Sequence, residues 1–148
     1  METKKRILVA DDDEAIRTLL FTVLRRRGFA VDVARNGADA IESMKHCRYA
    51  VALIDLMMPV KSGWDVIEWM ATCPKSERPL AIVLTAGTAV REMSPDVVAG
   101  TVRKPFDIEL LYDMVMACAS VRDLVQRDDC PPPDSNPDAQ RSKRGDVN

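Results

Sequence analysis

Carboxylates follow the ends of two apolar runs in this chain. Ile7-Leu8-Val9-Ala10 leads into Asp11-Asp12-Asp13, and Tyr49-Ala50-Val51-Ala52-Leu53-Ile54 leads into Asp55, followed by Leu56-Met57-Met58-Pro59. A third run, Leu80-Ala81-Ile82-Val83-Leu84, ends in Thr85-Ala86. A weaker one, Gly100-Thr101-Val102-Arg103, ends at Lys104-Pro105-Phe106. Carboxylates, a hydroxyl and an ammonium at successive strand ends suit magnesium-assisted phosphoryl chemistry. Mg2+ takes oxygen ligands, keeps several waters, and is usually held by one or two carboxylates plus phosphate. Asp12 and Asp55 can supply those carboxylates, and a carbonyl just past Asp55 can add an oxygen. Clustered carboxylates repel one another and gain proton affinity unless a cation sits among them. An aspartate so placed can itself be the nucleophile and form an aspartyl phosphate. The remaining work is positioning and charge neutralisation, for which Lys104 offers a cation and Thr85 a hydroxyl.

For these groups to meet, the runs must be neighbouring parallel strands. Ile16, Leu19, Leu20, Val23 and Leu24 recur at helical spacing, and Gly28 ends that helix. Asp13 is placed to cap it. Arg25-Arg26-Arg27 falls in its last turn, where cations are favoured. Phe29, Val31 and Val33 alternate as in a half-exposed edge strand. Asn36-Gly37 turns into a short helix carrying Ala40, Ile41 and Met44. Another helix begins near Ser62-Gly63 and carries Trp64, Val66, Ile67 and Met70, with Trp64 packed and Trp69 off that face. Ser94-Pro95 predicts a short helix through Val97-Val98-Ala99. Asp107 caps a last helix, expected to be the longest, with Ile108, Leu111, Val115, Cys118, Val121 and Val125 on its apolar face. Five strands alternating with five helices imply an α/β doubly wound parallel sheet, helices on both faces, all strand C-termini on one edge.

Composition narrows the class. The 148 residues suit one domain, and 47% apolar with 30% charged residues is ordinary for a globular chain. No apolar run approaches the ~20 residues of a membrane span, and the N-terminus lacks a secretory pattern. The net charge of −2 comes without a basic stripe, so no nucleic-acid partner is expected. Cys47, Cys73, Cys118 and Cys130 are unevenly spaced without C-x-x-C and read as reduced intracellular thiols. His46, the lone histidine, reads as a helix-end surface residue. After Arg127 the sequence turns Pro- and Asp-rich, so 1–127 is expected to fold and 128–148 to be a disordered tail.

The motifs Ile7-Leu8-Val9-Ala10-Asp11-Asp12-Asp13, Asp55-Leu56-Met57-Met58-Pro59 with Gly63, Leu84-Thr85-Ala86 and Lys104-Pro105-Phe106 resemble those of receiver domains of two-component response regulators. The resemblance covers residues 4–127. It implies a flavodoxin-like fold with a five-stranded sheet in the order 2-1-3-4-5. It also implies Asp55 as phosphoacceptor, and Mg2+ held by Asp12, Asp55 and the Met57 backbone carbonyl with Asp11 acting through water. Thr85 and Lys104 would read the phosphoryl group. The implied donor is a phosphohistidine on a separate histidine kinase or phosphotransfer protein. The implied role is a stand-alone, chemotaxis-regulator-like cytoplasmic regulator that signals to an unknown downstream protein, with no enzymatic action beyond its own phosphorylation and dephosphorylation.

The pattern departs from the family in two places. Thr101 stands where receivers usually carry an aromatic reporter three residues before the motif lysine, and the span from Thr85 to Lys104 is short. A phosphorylation-independent scaffold on the same fold is therefore an alternative. A second alternative is a haloacid-dehalogenase-like phosphatase, which would reassign Asp11, Asp13, Thr85 and Lys104 and draw its late acidic pair from Asp128-Asp129. It leaves Asp55 unexplained.

Overall fold

The computed structural model describes residues 4–87 and 93–133. Its elements are β1 (Arg6–Ala10), α1 (Glu14–Arg26), β2 (Ala30–Ala34), α2 (Gly37–His46), β3 (Val51–Asp55), α3 (Gly63–Ala71), β4 (Leu80–Thr85), β5 (Val98–Arg103) and α4 (Ile108–Ser120). The strands form one sheet in the order β2-β1-β3-β4-β5, every pair parallel. This is the expected doubly wound arrangement.

The central strands are apolar on both faces because helices cover both. Leu8, Ala10, Ala52 and Ile54 face one core with Ala40, Ile41, Val66 and Met70 of α2 and α3. Ile7, Val9, Val51 and Leu53 face the other with Leu20, Phe21 and Leu24 of α1 and Leu111 and Val115 of α4. Capping follows local chemistry. The Asp13, Asn36, Ser62 and Asp107 side chains accept first-turn N–H groups of α1, α2, α3 and α4 respectively.

Several expectations are corrected. The apolar stripe of α1 is rotated: Arg17, Leu20, Phe21 and Leu24 are buried, whereas Leu19 is 45% exposed. Arg17 is buried because its guanidinium donates to the Asp11 carbonyl at 2.8 Å. No helix follows Ser94-Pro95 among the described residues. The Ser94 carbonyl accepts from both Val97 and Val98, closing a single turn, and Val98 then pairs with Ala81 as β5 begins. Residues 88–92 of the shortened span lie outside the described residues. α4 equals α1 at 13 residues rather than exceeding it, and Val121 and Val125 lie beyond it, exposed. Trp69 is half-buried and packs on the α2–α3 core, as does Trp64. His46 ends α2 exposed, paired with Glu42.

The cysteines need the largest correction. Cys47 and Cys130 form a disulfide, their Cα atoms 4.9 Å apart, while Cys73 and Cys118 are free. Sequence spacing gave no sign of it, because the bond joins the C-cap of α2 to a segment beyond α4, 83 residues away. That bond also changes the reading of the tail. Residues 128–133 lie against the domain, where Arg6 donates to the Pro131 carbonyl at 2.8 Å and Asp129 lies 3.6 Å from His46. Residues 134–148 lie outside the described residues.

Candidate functional site

Strand register assembles the polar groups. Ala10 is level with Ile54 across β1 and β3, so the next step along each strand sets Asp11 beside Asp55. Thr85 is level with Arg103 across β4 and β5, which places Lys104 one step further out. Ligand oxygens of Asp11, Asp12 and Asp55 lie within 4.8 Å of one another. Asp11 is fully buried and Asp55 is 4% exposed, while Asp12 faces solvent. The Lys104 ammonium reaches in from β5, 2.9 Å from Asp11 Oδ2 and 3.4 Å from Asp55 Oδ2.

The loops around the cluster hold it by backbone contacts. Asp11 Oδ1 accepts from the Asp13 N–H at 2.9 Å, and Asp55 Oδ1 from the Met57 N–H at 3.2 Å. The Gly63 N–H donates to the Leu56 carbonyl, bringing α3 against the turn after Asp55. A Cβ on Gly63 would sit 2.3 Å from the Asp55 carbonyl oxygen, so only glycine allows this approach. In the same loop Val60 holds φ of 67°, a left-handed conformation unfavourable for a β-branched residue.

Electrostatics follow from burial. Loss of solvent, and next the neighbouring Asp11 charge, push the Asp55 carboxyl up to about 6, against the opposing pull of the Met57 N–H and Lys104. Burial lowers the proton affinity of Lys104, but its pairs with Asp11 and Asp55 outweigh this and hold the ammonium above its ordinary range.

The donor set fits a small hard divalent cation. It is all oxygen, one carboxylate faces solvent, and the buried Asp11 Oδ2 has the Lys104 ion pair but no hydrogen bond. Of the residues singled out in the sequence, Asp11, Asp12, Asp55 and Lys104 meet here. Met57 contributes its N–H, with its side chain 73% exposed. Thr85 is buried at the end of β4, its hydroxyl donating to the Gly87 carbonyl at 3.0 Å and accepting the Gly87 N–H. Asp13 is spent on capping α1 and Asp129 pairs with Arg127 and His46, so the phosphatase assignment loses the second aspartate of its first motif and one of its late acidic pair. Arg17 was missed. The signal was present, since an arginine at i, with Leu20 at i+3, Phe21 at i+4 and Leu24 at i+7, lies on the buried stripe of its helix.

Both the sequence and the fold have counterparts among known proteins. Residues 7–116 match the family described as response regulator receiver domain. The chain is 36% identical over 110 residues to Protein Rrf1 of Nitratidesulfovibrio vulgaris, covering 74% of this chain and 79% of that protein. It is 33% identical over 137 residues to response regulator MprA of Mycobacterium sp. strain KMS, covering 90% of this chain but 55% of the relative. Among solved structures, response regulator protein TrrA of Thermotoga maritima in complex with Mg(2+)-BeF superposes with a TM-score of 0.69 at 32% identity, covering 77% of this chain and 98% of that one. The Francisella response regulator 1452 receiver domain gives 0.71 at 26% identity, covering 79% and 98%.

Proposed function

The chain belongs to the response regulator receiver domain family, and on that premise we propose that it accepts a phosphoryl group on Asp55 and signals through protein–protein contact. The observation that carries this reading is the Lys104 ammonium 2.9 Å from Asp11 and 3.4 Å from Asp55, with Asp12 completing an oxygen cluster. The donor is a phosphohistidine on a histidine kinase or phosphotransfer protein, and the setting is cytoplasmic. A receiver is a signalling domain rather than an enzyme acting on a separate substrate.

In this reading an Asp55 carboxylate oxygen attacks phosphorus and the donor imidazole departs. Lys104 stays cationic, pairs with the phosphoryl oxygens, and keeps the nucleophile aimed. The Thr85 hydroxyl leaves its turn with Gly87 to donate to a phosphoryl oxygen. Asp12, Asp55 and the Met57 carbonyl would hold Mg2+ directly, with Asp11 acting through water. Bound there, the ion supplies charge neutralisation for the carboxylates and the incoming phosphoryl oxygens. Incubation with magnesium and a small phosphodonor should add one phosphoryl mass to the wild type and none to Asp55→Asn. Absence of any gain, or a gain that survives the substitution, refutes the assignment.

A second reading keeps the fold and drops the switch. Thr101 is exposed on β5 and has no ring to swing inward when Thr85 engages phosphate. If partner affinity is equal for wild type and Asp55→Asn, with and without a beryllofluoride phosphoryl mimic, the chain is a constitutive scaffold. Unequal affinities favour the switch.

A further inference from the structure

At the opposite end of β1 from the phosphoacceptor cluster, ~17 Å away by strand rise, the chain carries a second chemically distinct feature. Arg6 is buried and bonded to Asp32, whose Oδ2 also accepts the Tyr49 hydroxyl at 2.5 Å. The remaining Arg6 donor points outward, 2.8 Å from Cys130 Sγ and 2.8 Å from the Pro131 carbonyl. Pro131 and Pro132 line a cavity of about 260 Å³ beside β2 and α2, together with Arg6, Asp32 and Tyr49.

Apart from the disulfide, little holds this segment down. Residues 121–133 contain no helix or strand, and Val121 and Val125 are 71% and 79% exposed. Their contacts are mostly polar and near the surface: Gln126 with the Arg48 backbone, the Val125 carbonyl with the Arg48 guanidinium, and Arg122 with the Lys75 carbonyl. Segments with few buried apolar contacts open at low free energy. Cys130 is half-buried while its partner Cys47 is 3% exposed.

We propose that Cys47–Cys130 is a reversible thiol-exchange site that fastens residues 121–133 as a strap across the β2–α2 cavity and releases them on reduction. The inference goes beyond the phosphoacceptor reading and does not depend on it. A dithiol reductant supplies the electrons. Its thiolate attacks the sulfur of Cys130, the less buried of the two cysteines, forming a mixed disulfide, and the bond electrons leave with Cys47 sulfur, which takes a proton. The reductant's second thiolate then attacks its own sulfur in the mixed disulfide. Cys130 departs as a thiolate beside the Arg6 guanidinium, which favours that charge, and the reductant leaves as a cyclic disulfide. A small-molecule disulfide reverses the sequence.

Amide exchange and alkylation on the full chain test this, with dithiothreitol and its oxidised form as probes. In the oxidised protein, native iodoacetamide should leave Cys130 unmodified and residues 121–133 protected. Reduction should expose Cys130 to alkylation and raise exchange in 121–133 at least about tenfold, while β1, β3 and β4 keep their protection. Cys130→Ser should show the released pattern with or without reductant, and it leaves the buried Cys47 in place. Unchanged protection on reduction overturns the proposal, because the polar contacts alone would then hold the strap. Loss of protection across the whole sheet also overturns it, showing a staple for the fold. Four alkylatable thiols after oxidation would show that the bond does not form.

Discussion

Replacing Asp55 by Asn tests the electrostatics of the cluster apart from its phosphoryl chemistry. The amide copies the shape of the protonated acid and removes the charge. The Asp55 carboxyl is pushed from 3.8 to about 6, burial first and the Asp11 charge next. Between those values the native state binds more protons than the unfolded chain, so wild-type stability falls as pH rises through the window. Asparagine escapes that penalty. The difference of 2.2 pH units (6 − 3.8), at 1.36 kcal/mol each, corresponds to about 3 kcal/mol of stabilisation, fully present above pH 6 and gone below pH 4. Asp55 is 4% exposed, but its neighbour Asp12 faces solvent and screens the cluster, so this figure is an upper value. Urea unfolding at pH 4 and pH 8 without divalent cations measures it. Magnesium should then close or reverse the gap, since a ligand at 100 times its dissociation constant adds about 2.7 kcal/mol to the form that binds it. An Asn variant that gains equally at both pH values, or loses stability at pH 8, would refute the reasoning.

Three further outcomes follow from the same geometry. Lys104→Met leaves Asp11 and Asp55 without their shared cation and should cost about 2 kcal/mol at pH 8, shrinking as Asp55 protonates; this is read as a pH-dependent shift of the urea midpoint. Val60→Asn relieves a β-branched residue at φ of 67° and should stabilise by about 1 kcal/mol in the same assay, because Val60 is 80% exposed and loses little packing. Gly63→Ala drives a Cβ into the Asp55 carbonyl oxygen and the Leu56 Cα, at 2.3 and 2.7 Å, and should cost about 3 kcal/mol by overpacking against backbone. A loss below ~1 kcal/mol would show that this loop relaxes readily.

Much of the sheet was legible because its central strands are continuous apolar runs that end in polar motif residues. β1, β3 and β4 could be read directly, and the alternation of Phe29, Val31 and Val33 placed an edge strand. Helix faces were less certain. On α1 the stripes through Leu19 and through Arg17 share Leu20 and Leu24 but are centred nearly a quarter turn apart, and hydropathy alone favours the leucine. Arg17 goes inside because a backbone carbonyl at the end of β1 accepts from it. The segment after Ser94-Pro95 has start signals for a helix but β-branched Val97 and Val98 beyond them, and pairing with β4 decided the contest.

Sequence alone determined which groups stand at strand ends and in what order, since a carboxylate, hydroxyl or lysine after an apolar run is a local property. Only the tertiary structure decided which of them touch. Lys104 meets Asp11 and Asp55, Thr85 turns to Gly87, and Asp13 stays with its helix. Cys47 finds Cys130, and Arg6 finds Asp32 and Tyr49. Ion pairs and disulfides depend on distances of a few ångströms between residues far apart in the chain. Those distances are set by the register and the packing of the sheet rather than by any pattern along the sequence.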